Sequence, residues 1–320
     1  MSSETLLSIV VPCYNEAAVL PETMKVLINR LKSLIQSGKI SDRSFILLVD
    51  DGSADRTWQL IAEQAVTSSI IRGVKLSRNF GHQNALIAGI ETVSDVADCV
   101  ITIDADLQDD VRLMDVFVDK YHEGFDIVYG VRKRRDMDTF FKKHTASAFY
   151  KLMGKMGVRL IPDHADYRLI SQRAVQELMR YQESNLFIRG IIPLLGFRTT
   201  VVYYDRQRRF AGESKYPLKK MIAFAADGIT SFSVAPIKVV MGCGFMIVIA
   251  GIGIAVYALV SWLLGNTISG WTSLILSIWI VGGMQLMAIG VIGEYIGKIF
   301  TETKKRPRYS IETHTADQKK

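Results

Sequence analysis

The first two hundred residues alternate short apolar runs with longer amphipathic stretches. The apolar runs, which predict buried strands, cover residues 7–11, 45–49, 73–76 and 100–103. The amphipathic stretches, which predict helices, follow each run in turn and cover residues 18–35, 55–65, 83–92 and 111–122. This series predicts an α/β fold, with a mostly parallel sheet and helices on both of its faces. Ligands of such folds bind at the carboxyl ends of the strands, so chemistry is expected directly after each apolar run.

The pattern is less regular over the following hundred residues. A helix-like stretch covers 139–156, and strand-like runs follow at 166–171 and 199–204. Between 218 and 232 apolar residues fall at helical spacing, with Lys219 and Lys220 beside them, which predicts an amphipathic helix at a membrane interface. A helix packed on the soluble core is the alternative.

Two long stretches towards the C-terminus, 239–264 and 270–293, contain no charged residue. Each is longer than the roughly 20 residues that cross a bilayer as a helix, so we predict two transmembrane helices. A pair of buried core helices is the alternative. Lys238 precedes the pair, Lys298 follows it, and the connector between the stretches is uncharged. By the positive-inside rule, both ends of the pair lie in the cytoplasm.

These patterns divide the chain into four predicted parts. They are a cytoplasmic catalytic domain (1–216), a membrane-interface helix region (217–237), the two spans with their flanks (238–300) and a polar cytoplasmic tail (301–320). The N-terminus lacks the basic and apolar segments of a cleaved signal, so we expect the large domain to stay in the cytoplasm. The residues after Arg306 are polar and are predicted to be disordered.

Composition narrows the choice of partners. Hydrophobic residues make up 49% of the 320 residues, and their excess lies in the two predicted spans. The net charge of +7 suits nucleic acid or anionic lipid, but beside two spans it favours a lipid surface and phosphorylated substrates, and we expect no nucleic acid. Cys13, Cys99 and Cys243 show no C-x-x-C spacing and predict no zinc site.

Two carboxylates close the fourth apolar run. Asp104 and Asp106 lie at the predicted end of a strand, and Gln108 and Asp109 follow at once. Mg²⁺ and Mn²⁺ take oxygen ligands and are commonly held by one or two carboxylates together with substrate phosphates. We therefore predict that a divalent metal binds a diphosphate here. Capping of a helix N-terminus is the alternative role for Asp109 and Asp110.

A second acidic pair follows the second apolar run. Asp50 and Asp51 could accept hydrogen bonds from a nucleobase N–H group and a ribose hydroxyl, while Gly52 and Ser53 turn the chain into the next helix. The glycine patterns of dinucleotide-binding folds and P-loops are missing after both of the first two runs, which disfavours those classes. Turn and cap chemistry is the alternative for this pair.

Basic residues form two clusters. One comprises residues 132–135 with Lys142 and Lys143, and the other comprises Arg206, Arg208, Arg209, Lys215, Lys219 and Lys220. Both flank the predicted site and the membrane-proximal helix, where a diphosphate and a lipid phosphate would need neutralising. Solvated surface charge is the alternative.

Together the motifs resemble those of the family 2 glycosyltransferases with a GT-A fold. Within that family they are most similar to the polyprenyl-phosphate glycosyltransferases, which include dolichol-phosphate mannose synthases and, more closely, bacterial bactoprenol glucosyltransferases. The likeness covers nearly the whole chain. It is carried by PCYNE at 12–16, VDDGS at 49–53, RNFGHQ at 78–83, DADLQD at 104–109, DYRL at 166–169, RQRRFAGESKY at 206–216 and the two C-terminal spans.

The resemblance implies a role for each matching residue. The nucleotide sugar would be bound by Pro12, Tyr14, Glu16, Asp50, Asp51, Arg78, Gln83, Asp104, Ala105, Arg206, Arg209, Ser214 and Lys215. The metal would be held by Asp104, Asp106 and Gln108, and the lipid phosphate by Arg132, Lys142 and Lys143. Asp166 matches the acidic residue treated as catalytic, and Asp106 would act with it. His82 stands where relatives often carry Lys.

The resemblance also implies an activity. It is the inverting transfer of a hexose, glucose from UDP-glucose, to undecaprenyl phosphate at the cytoplasmic face of the inner membrane, for the modification of a surface glycan such as O-antigen. Mg²⁺ or Mn²⁺ would be the cofactor, and a multi-pass membrane homo-oligomer is expected. Because a phosphate monoester with a second pKa of about 6 is mostly dianionic at pH 7, the acceptor scarcely needs a base, so Asp166 is either a base or an electrostatic stabiliser.

Other functions stay open at this point. A different polyprenyl-phosphate transferase would use mannose, N-acetylglucosamine or amino-arabinose as the donor sugar. A processive polysaccharide synthase would carry a Q-x-x-R-W motif and more spans, which this sequence lacks. A membrane-tethered nucleotide-binding regulator or a transporter is the alternative outside enzymes, but a transporter needs polar groups within its spans, and these spans hold only Gln285 and a few hydroxyls.

Overall fold

A mixed eight-stranded sheet organises the N-terminal part of the chain in the computed structural model, which describes residues 5–132, 164–183, 187–205, 235–264 and 270–315. The strands of this sheet are β1 (Leu7–Cys13), β2 (Phe45–Asp50), β3 (Ile71–Leu76), β4 (Cys99–Thr102), β5 (Ile127–Arg132), β6 (His164–Ser171), β7 (Thr199–Tyr204) and β8 (Ile311–His314). Their order across the sheet is β7-β5-β6-β4-β1-β2-β3-β8.

The centre of the sheet is parallel. Strands β4, β1, β2 and β3 run side by side in one direction, so their carboxyl ends share one edge. Strand β6 is antiparallel to both β4 and β5, and Arg168 is the register partner of Thr102. The amino end of β6 therefore lies beside the carboxyl end of β4, which brings Asp166 towards the segment that contains Asp104. The predicted α/β fold is confirmed, as a mixed sheet.

Helices flank this sheet because their apolar residues recur at helical spacing. They are α1 (Leu20–Gln36), α2 (Thr57–Thr67), α3 (His82–Val93), α4 (Met114–His122), α5 (Gln172–Met179) and the short α6 (Ile188–Ile191). In α1, Leu20, Leu27, Leu31 and Leu34 are completely buried. Full burial of each such side chain contributes about 1.5–3 kcal/mol relative to exposure, which fixes the helix on the sheet.

Two elements differ from the sequence predictions. Strand β5 was not predicted, because its short apolar run leads directly into the basic cluster that begins at Arg132. The disorder predicted after Arg306 is wrong as far as residue 315, since β8 pairs antiparallel with β3. Thr315 and Gly73 also exchange two hydrogen bonds of 2.9 Å. A polar segment is ordered here because the edge of β3 offers backbone groups that need partners.

The second compact unit contains two long helices, α7 (Ala235–Leu263) and α8 (Trp271–Thr303). Among the residues described, one stretch, Ile280–Thr303, is long and apolar enough to cross a membrane, and a shorter apolar stretch covers Ile237–Gly253. Of the two spans predicted at 239–264 and 270–293, the second thus overlaps a candidate membrane helix, and the first stays a prediction. The helix predicted at 139–156, and almost all of the interface region at 217–237, lie outside the described residues.

Candidate active site

The loops after β1 and β2 are tied together by hydrogen bonds. The N–H group of Asn15 donates to Ser53 Oγ and the N–H group of Ala54 donates to Asn15 Oδ1, both at 2.9 Å. The N–H group of Glu16 donates to Thr57 Oγ1, also at 2.9 Å. Asn15 has a φ of 54°, a conformation that Asn tolerates better than most residues. The two loops therefore form one unit at the carboxyl edge of the sheet.

Three residues predicted to bind the nucleotide belong to this unit. Pro12 is buried at the end of β1 and pairs in register with Val49. The carbonyl of Glu16 accepts the N–H group of Leu20 and so starts α1. Tyr14, in contrast, is 48% exposed at the carboxyl edge, where an aromatic ring can stack on a nucleobase.

Asp50 and Asp51 are almost completely buried. Asp50 accepts the N–H group of Ser53 at 3.3 Å, while Asp51 accepts the N–H groups of Phe80 at 2.7 Å and Gly81 at 2.9 Å, one on each oxygen. Burial raises the pKa of both carboxyls, and these hydrogen bonds oppose the rise. Both carboxylates thus shape the loops around them, and their direct contact with a nucleoside stays a prediction.

Gly52 allows the β2 loop to pack against the loop after β3. Its φ is +65°, and a Cβ atom there would lie 2.3 Å from the carbonyl carbon of Arg78 and 2.6 Å from the nitrogen of Asn79. Only glycine fits this conformation and this close approach. The exposed Arg78 guanidinium stacks 3.9 Å from the centre of the Phe80 ring, which leaves a cation at the edge where an anionic ligand would approach.

Asp104 follows β4 and carries an unsatisfied oxygen. Its Oδ1 atom is buried and has no hydrogen-bond partner among the described residues, although His82 Nε2 lies 3.4 Å away as an ion-pair contact. Burial raises the pKa of Asp104 to about 6; His82 opposes the rise, and the carboxylates of Asp166, Asp109 and Asp106 add to it. A buried oxygen without a partner calls for a ligand.

The loop around Asp104 fits a divalent metal that is shared with a substrate. Ala105 is buried, and Asp106 Oδ1 accepts the N–H group of Gln108 at 3.2 Å. Within the described ranges, no group of three or more His, Cys, Asp or Glu side chains could hold a metal ion. Two carboxylates and an amide offer the oxygen ligands that Mg²⁺ or Mn²⁺ would take together with substrate phosphates, and their binding of a metal stays a prediction.

Asp109 and Asp110 take different roles. Asp110 caps the 3-10 turn that follows it, because its Oδ1 accepts the N–H group of Arg112 at 3.0 Å. Asp109 is buried and accepts hydrogen bonds from Arg132 Nη2, at 3.1 Å, and from the hydroxyl of Tyr204. Arg132, which was predicted to bind a lipid phosphate, therefore forms an ion pair with Asp109. Arg132 and Tyr204 thus tie the loop after β4 to β5 and β7.

Asp166 is buried among cations. Arg189 donates twice to it, from Nε to Oδ1 at 3.1 Å and from Nη2 to Oδ2 at 2.8 Å, and Arg168 donates to Oδ1 as well. Burial alone would raise the pKa of Asp166, but the charge of Arg189, the contact with His82 and the charge of Arg168 hold it well below its usual value. Asp166 is thus a carboxylate at neutral pH.

His82 joins the predicted metal and catalytic residues. Its Nε2 atom lies 3.4 Å from Asp104 and 3.6 Å from Oδ2 of Asp166. Burial works to lower the pKa of His82, but its contact with Asp166 and the charges of both carboxylates raise the pKa above its usual value. Next to it, Gln83 Oε1 accepts the N–H group of Ile188 at 3.0 Å, so Gln83 anchors α6 here.

Several residues that complete this site were not predicted from the sequence. Arg189 and Tyr204 lie outside the matched motifs or outside the predicted roles, and no local pattern marks them. Arg168 stands inside the DYRL motif and could have been found there. Six predicted site residues lie outside the described residues, namely Lys142, Lys143, Arg206, Arg209, Ser214 and Lys215.

Comparisons with known proteins add to this geometry. The family model described as Glycosyl transferase family 2 matches residues 8–179. The chain is 54% identical to the uncharacterized glycosyltransferase YkoT of Bacillus subtilis (strain 168), over 97% of this chain and 92% of that protein. It is 36% identical to the prophage bactoprenol glucosyl transferase homolog of Escherichia coli (strain K12), over 96% of this chain and 98% of that protein.

A weaker likeness is found to solved structures. Glucosyl-3-phosphoglycerate synthase from Mycobacterium tuberculosis aligns with a TM-score of 0.44 and 18% identity, over 71% of this chain and 78% of that chain. A likeness at this level carries no argument about chemistry.

Proposed function

Because the chain belongs to glycosyl transferase family 2, we propose that it transfers a hexose, glucose from UDP-glucose, to undecaprenyl phosphate. The observation that carries the proposal is the unsatisfied Asp104 carboxylate at the carboxyl edge, joined through His82 to the ionised Asp166. Relatives named bactoprenol glucosyl transferase, which match nearly the whole chain at 36% identity, support glucose as the sugar and a polyprenyl phosphate as the acceptor.

The proposed metal ligands and the loops after β1, β2 and β3 would bind different parts of the nucleotide sugar. Asp104, Asp106 and Gln108 would hold Mg²⁺ or Mn²⁺, which when bound neutralises the charge of the departing diphosphate. Tyr14 would stack on the base, and Arg78 would face the phosphates. The loops themselves are held by Asp50 and Asp51, so the donor would meet a preorganised surface.

The transfer itself needs no proton to move. At pH 7 the lipid phosphate is mostly dianionic, because its second pKa is about 6. One of its oxygens forms a bond to the anomeric carbon while the bond between that carbon and the UDP oxygen breaks, and UDP leaves with the electron pair. A single displacement of this kind inverts the anomeric configuration.

Asp166 then acts as an electrostatic stabiliser and not as a base. Because two arginines hold its pKa well below the usual value, it is a weak base and stays anionic at neutral pH. An anion at this position would stabilise the positive charge that develops on the sugar ring. Asp166→Asn should therefore lower turnover while UDP binding is kept, and near-full turnover in this variant would contradict the role.

The reaction is proposed to occur at a membrane. Ile280–Thr303 is long and apolar enough to cross one, and the acceptor is a lipid. A multi-pass inner-membrane protein with a cytoplasmic catalytic domain, a homo-oligomeric state and a product used for O-antigen modification are parts of the same proposal. They follow from the span predicted at 239–264 and from the resemblance to bactoprenol glucosyltransferases.

The proposal is tested with membranes that contain the full chain. Labelled UDP-glucose is added, and label is measured in a lipid that organic solvent extracts and mild acid cleaves. We expect lipid label that requires Mg²⁺ or Mn²⁺ and is lost in Asp104→Asn. Donors carrying mannose, N-acetylglucosamine or amino-arabinose run in parallel. Label from one of these instead of glucose would correct the sugar, and no lipid label from any donor would overturn the proposal.

A further inference from the structure

Asp166 is held by a cation from a separate helix. Arg189 lies on α6, and its two bonds of 3.1 and 2.8 Å engage both oxygens of the carboxylate. A planar guanidinium that binds a carboxylate with two donors fixes the orientation of the carboxylate as well as its position. The side chain of Asp166 is only 6% exposed, so little else is able to reorient it.

The hydrogen bonds leave one oxygen of Asp166 less occupied than the other. A carboxylate offers about four acceptor positions, two on each oxygen. Among the described residues, Oδ1 accepts from both Arg168 and Arg189, whereas Oδ2 accepts from Arg189 only and lies 3.6 Å from His82 Nε2. The same His82 atom lies 3.4 Å from Asp104. The oxygen with spare acceptor capacity is therefore the one next to the proposed donor site.

The position of Arg189 is fixed by a hydrogen bond of the residue before it. The N–H group of Ile188, the residue before it, donates to Gln83 Oε1 at 3.0 Å, and Ile188 itself is buried. Gln83 and His82 are neighbours in the first turn of α3. One helix start thus sets both the contact to Asp104 and the anchor of the arginine that holds Asp166.

We propose that Arg189 is a positioning residue, which holds both oxygens of the Asp166 carboxylate and so aims its Oδ2 atom at the sugar of the bound donor. The inference rests on the proposed function, because the sugar at Oδ2 belongs to it. Arg189 does not bind the diphosphate in this proposal, so its loss should leave the affinity for UDP unchanged.

The test compares Arg189→Gln and Arg189→Lys with the matched control Arg180→Gln. Arg180 is exposed and pairs only with Glu177 among the ion pairs found in the described residues, at 2.7 Å. In the full chain, Arg189→Gln should lower kcat by about 100-fold, the scale of a misplaced reacting group, with the KM for the sugar donor within about threefold of wild type. Arg189→Lys keeps the charge, so its kcat should lie between that of Arg189→Gln and that of wild type. This intermediate value would show that the loss in Arg189→Gln does not come from misfolding alone.

The acid side of the kcat profile provides a second readout. The groups that face Asp166 are Arg168 on β6, Arg189 on α6 and His82 on α3, with Asp104 beyond His82. Removing the Arg189 charge lets the pKa of Asp166 rise, so the deficit in the kcat of Arg189→Gln relative to wild type should grow as the pH falls. An unchanged profile with unchanged kcat, or a loss confined to KM, would overturn the proposal.

Infrared titration separates this proposal from the proposed function. In the difference spectrum between Arg189→Gln and the double variant that also carries Asp166→Asn, a protonated-carboxyl band should appear at acidic pH, and the same difference band should be weaker when Arg189 is kept. If the band appears while wild type labels no lipid, the proposed function fails but Arg189 still controls Asp166. If the band does not change, Arg189 does not hold Asp166 ionised and the inference is overturned.

Discussion

Two acidic loops at the same edge of the sheet use the same residue type in different ways. After β2, Asp50 and Asp51 are buried and their oxygens accept backbone N–H groups from their own loop and from the loop after β3. After β4, Asp104 leaves a buried oxygen without a hydrogen-bond partner among the described residues. The carboxylates after β2 therefore build the site, and Asp104 is available to a ligand.

The difference shows that position at a strand end does not by itself assign a carboxylate to substrate binding. What separates the two loops is the number of backbone N–H groups that reach each oxygen. Asp109, in the β4 loop, combines both situations, since Arg132 and Tyr204 donate to its Oδ1 atom while its buried Oδ2 atom has no hydrogen-bond partner among the described residues. Substitutions that remove only the charge should therefore lower activity at Asp104 and stability at Asp51 and Asp109.

The largest effect is expected from Asp104→Asn. This variant keeps the shape of the side chain but loses the anion, so metal-dependent turnover should fall by about 1000-fold, the upper range for loss of one preorganised electrostatic group. Its melting temperature should stay close to wild type, because Asp104 Oδ1 accepts no hydrogen bond from the described residues. Initial rates of lipid labelling check this, with the exposed Asp95→Asn as the control; near wild-type rates in Asp104→Asn would refute the assignment.

Asp109→Asn should be the most destabilising change. It leaves Arg132 without its carboxylate in a largely buried setting, and breaking such a pair costs about 3 kcal/mol. Thermal melting in detergent should show a decrease of roughly 6–12 °C, on the scale for domains of this size. A variant that melts like wild type would mean that the pair does not tie the loop after β4 to β5 and β7.

Asp51→Asn should come next, because one of two backbone N–H groups loses its charged acceptor and faces an amide donor instead. The expected cost is about 2 kcal/mol, or roughly 4–8 °C in melting temperature. Melting is again the measurement, and UDP binding should weaken only as far as the loop loosens. Unchanged melting together with abolished UDP binding would instead favour direct contact with the nucleoside.

The smallest effect is expected from Asp50→Asn, because Asp50 makes only long bonds to Ser53. Burial raises the pKa of Asp50 in the fold, so the unfolded chain releases this proton more readily. Wild type therefore loses stability as pH rises through the folded pKa, and Asp50→Asn removes that loss. At pH 7 the melting temperature of Asp50→Asn should differ from that of wild type by less than about 3 °C, and it should fall less than in wild type between acidic and neutral pH. A steeper fall than in wild type would contradict this prediction.

Much of this architecture could be predicted from the sequence because it depends on local patterns. The apolar runs of β1, β2, β3 and β4 and the acidic residues after β2 and β4 mark the sheet and its edge. The roles of single residues depend on pairings that no local pattern encodes. Arg189 reaches Asp166 only because antiparallel β6 and the short α6 meet across the fold, and β8 forms only because the edge of β3 is available.

We propose that Asp104 and Asp106, in the loop after β4, bind a metal with the diphosphate, while Asp50 and Asp51, after β2, hold the loops. Equilibrium binding of UDP to the full chain, with and without Mn²⁺, tests it most directly in wild type, Asp104→Asn and Asp51→Asn. We predict that Mn²⁺ strengthens binding at least about tenfold, or about 1.4 kcal/mol, in wild type and in Asp51→Asn, and hardly at all in Asp104→Asn. Full metal dependence in Asp104→Asn, or its loss only in Asp51→Asn, would contradict the account.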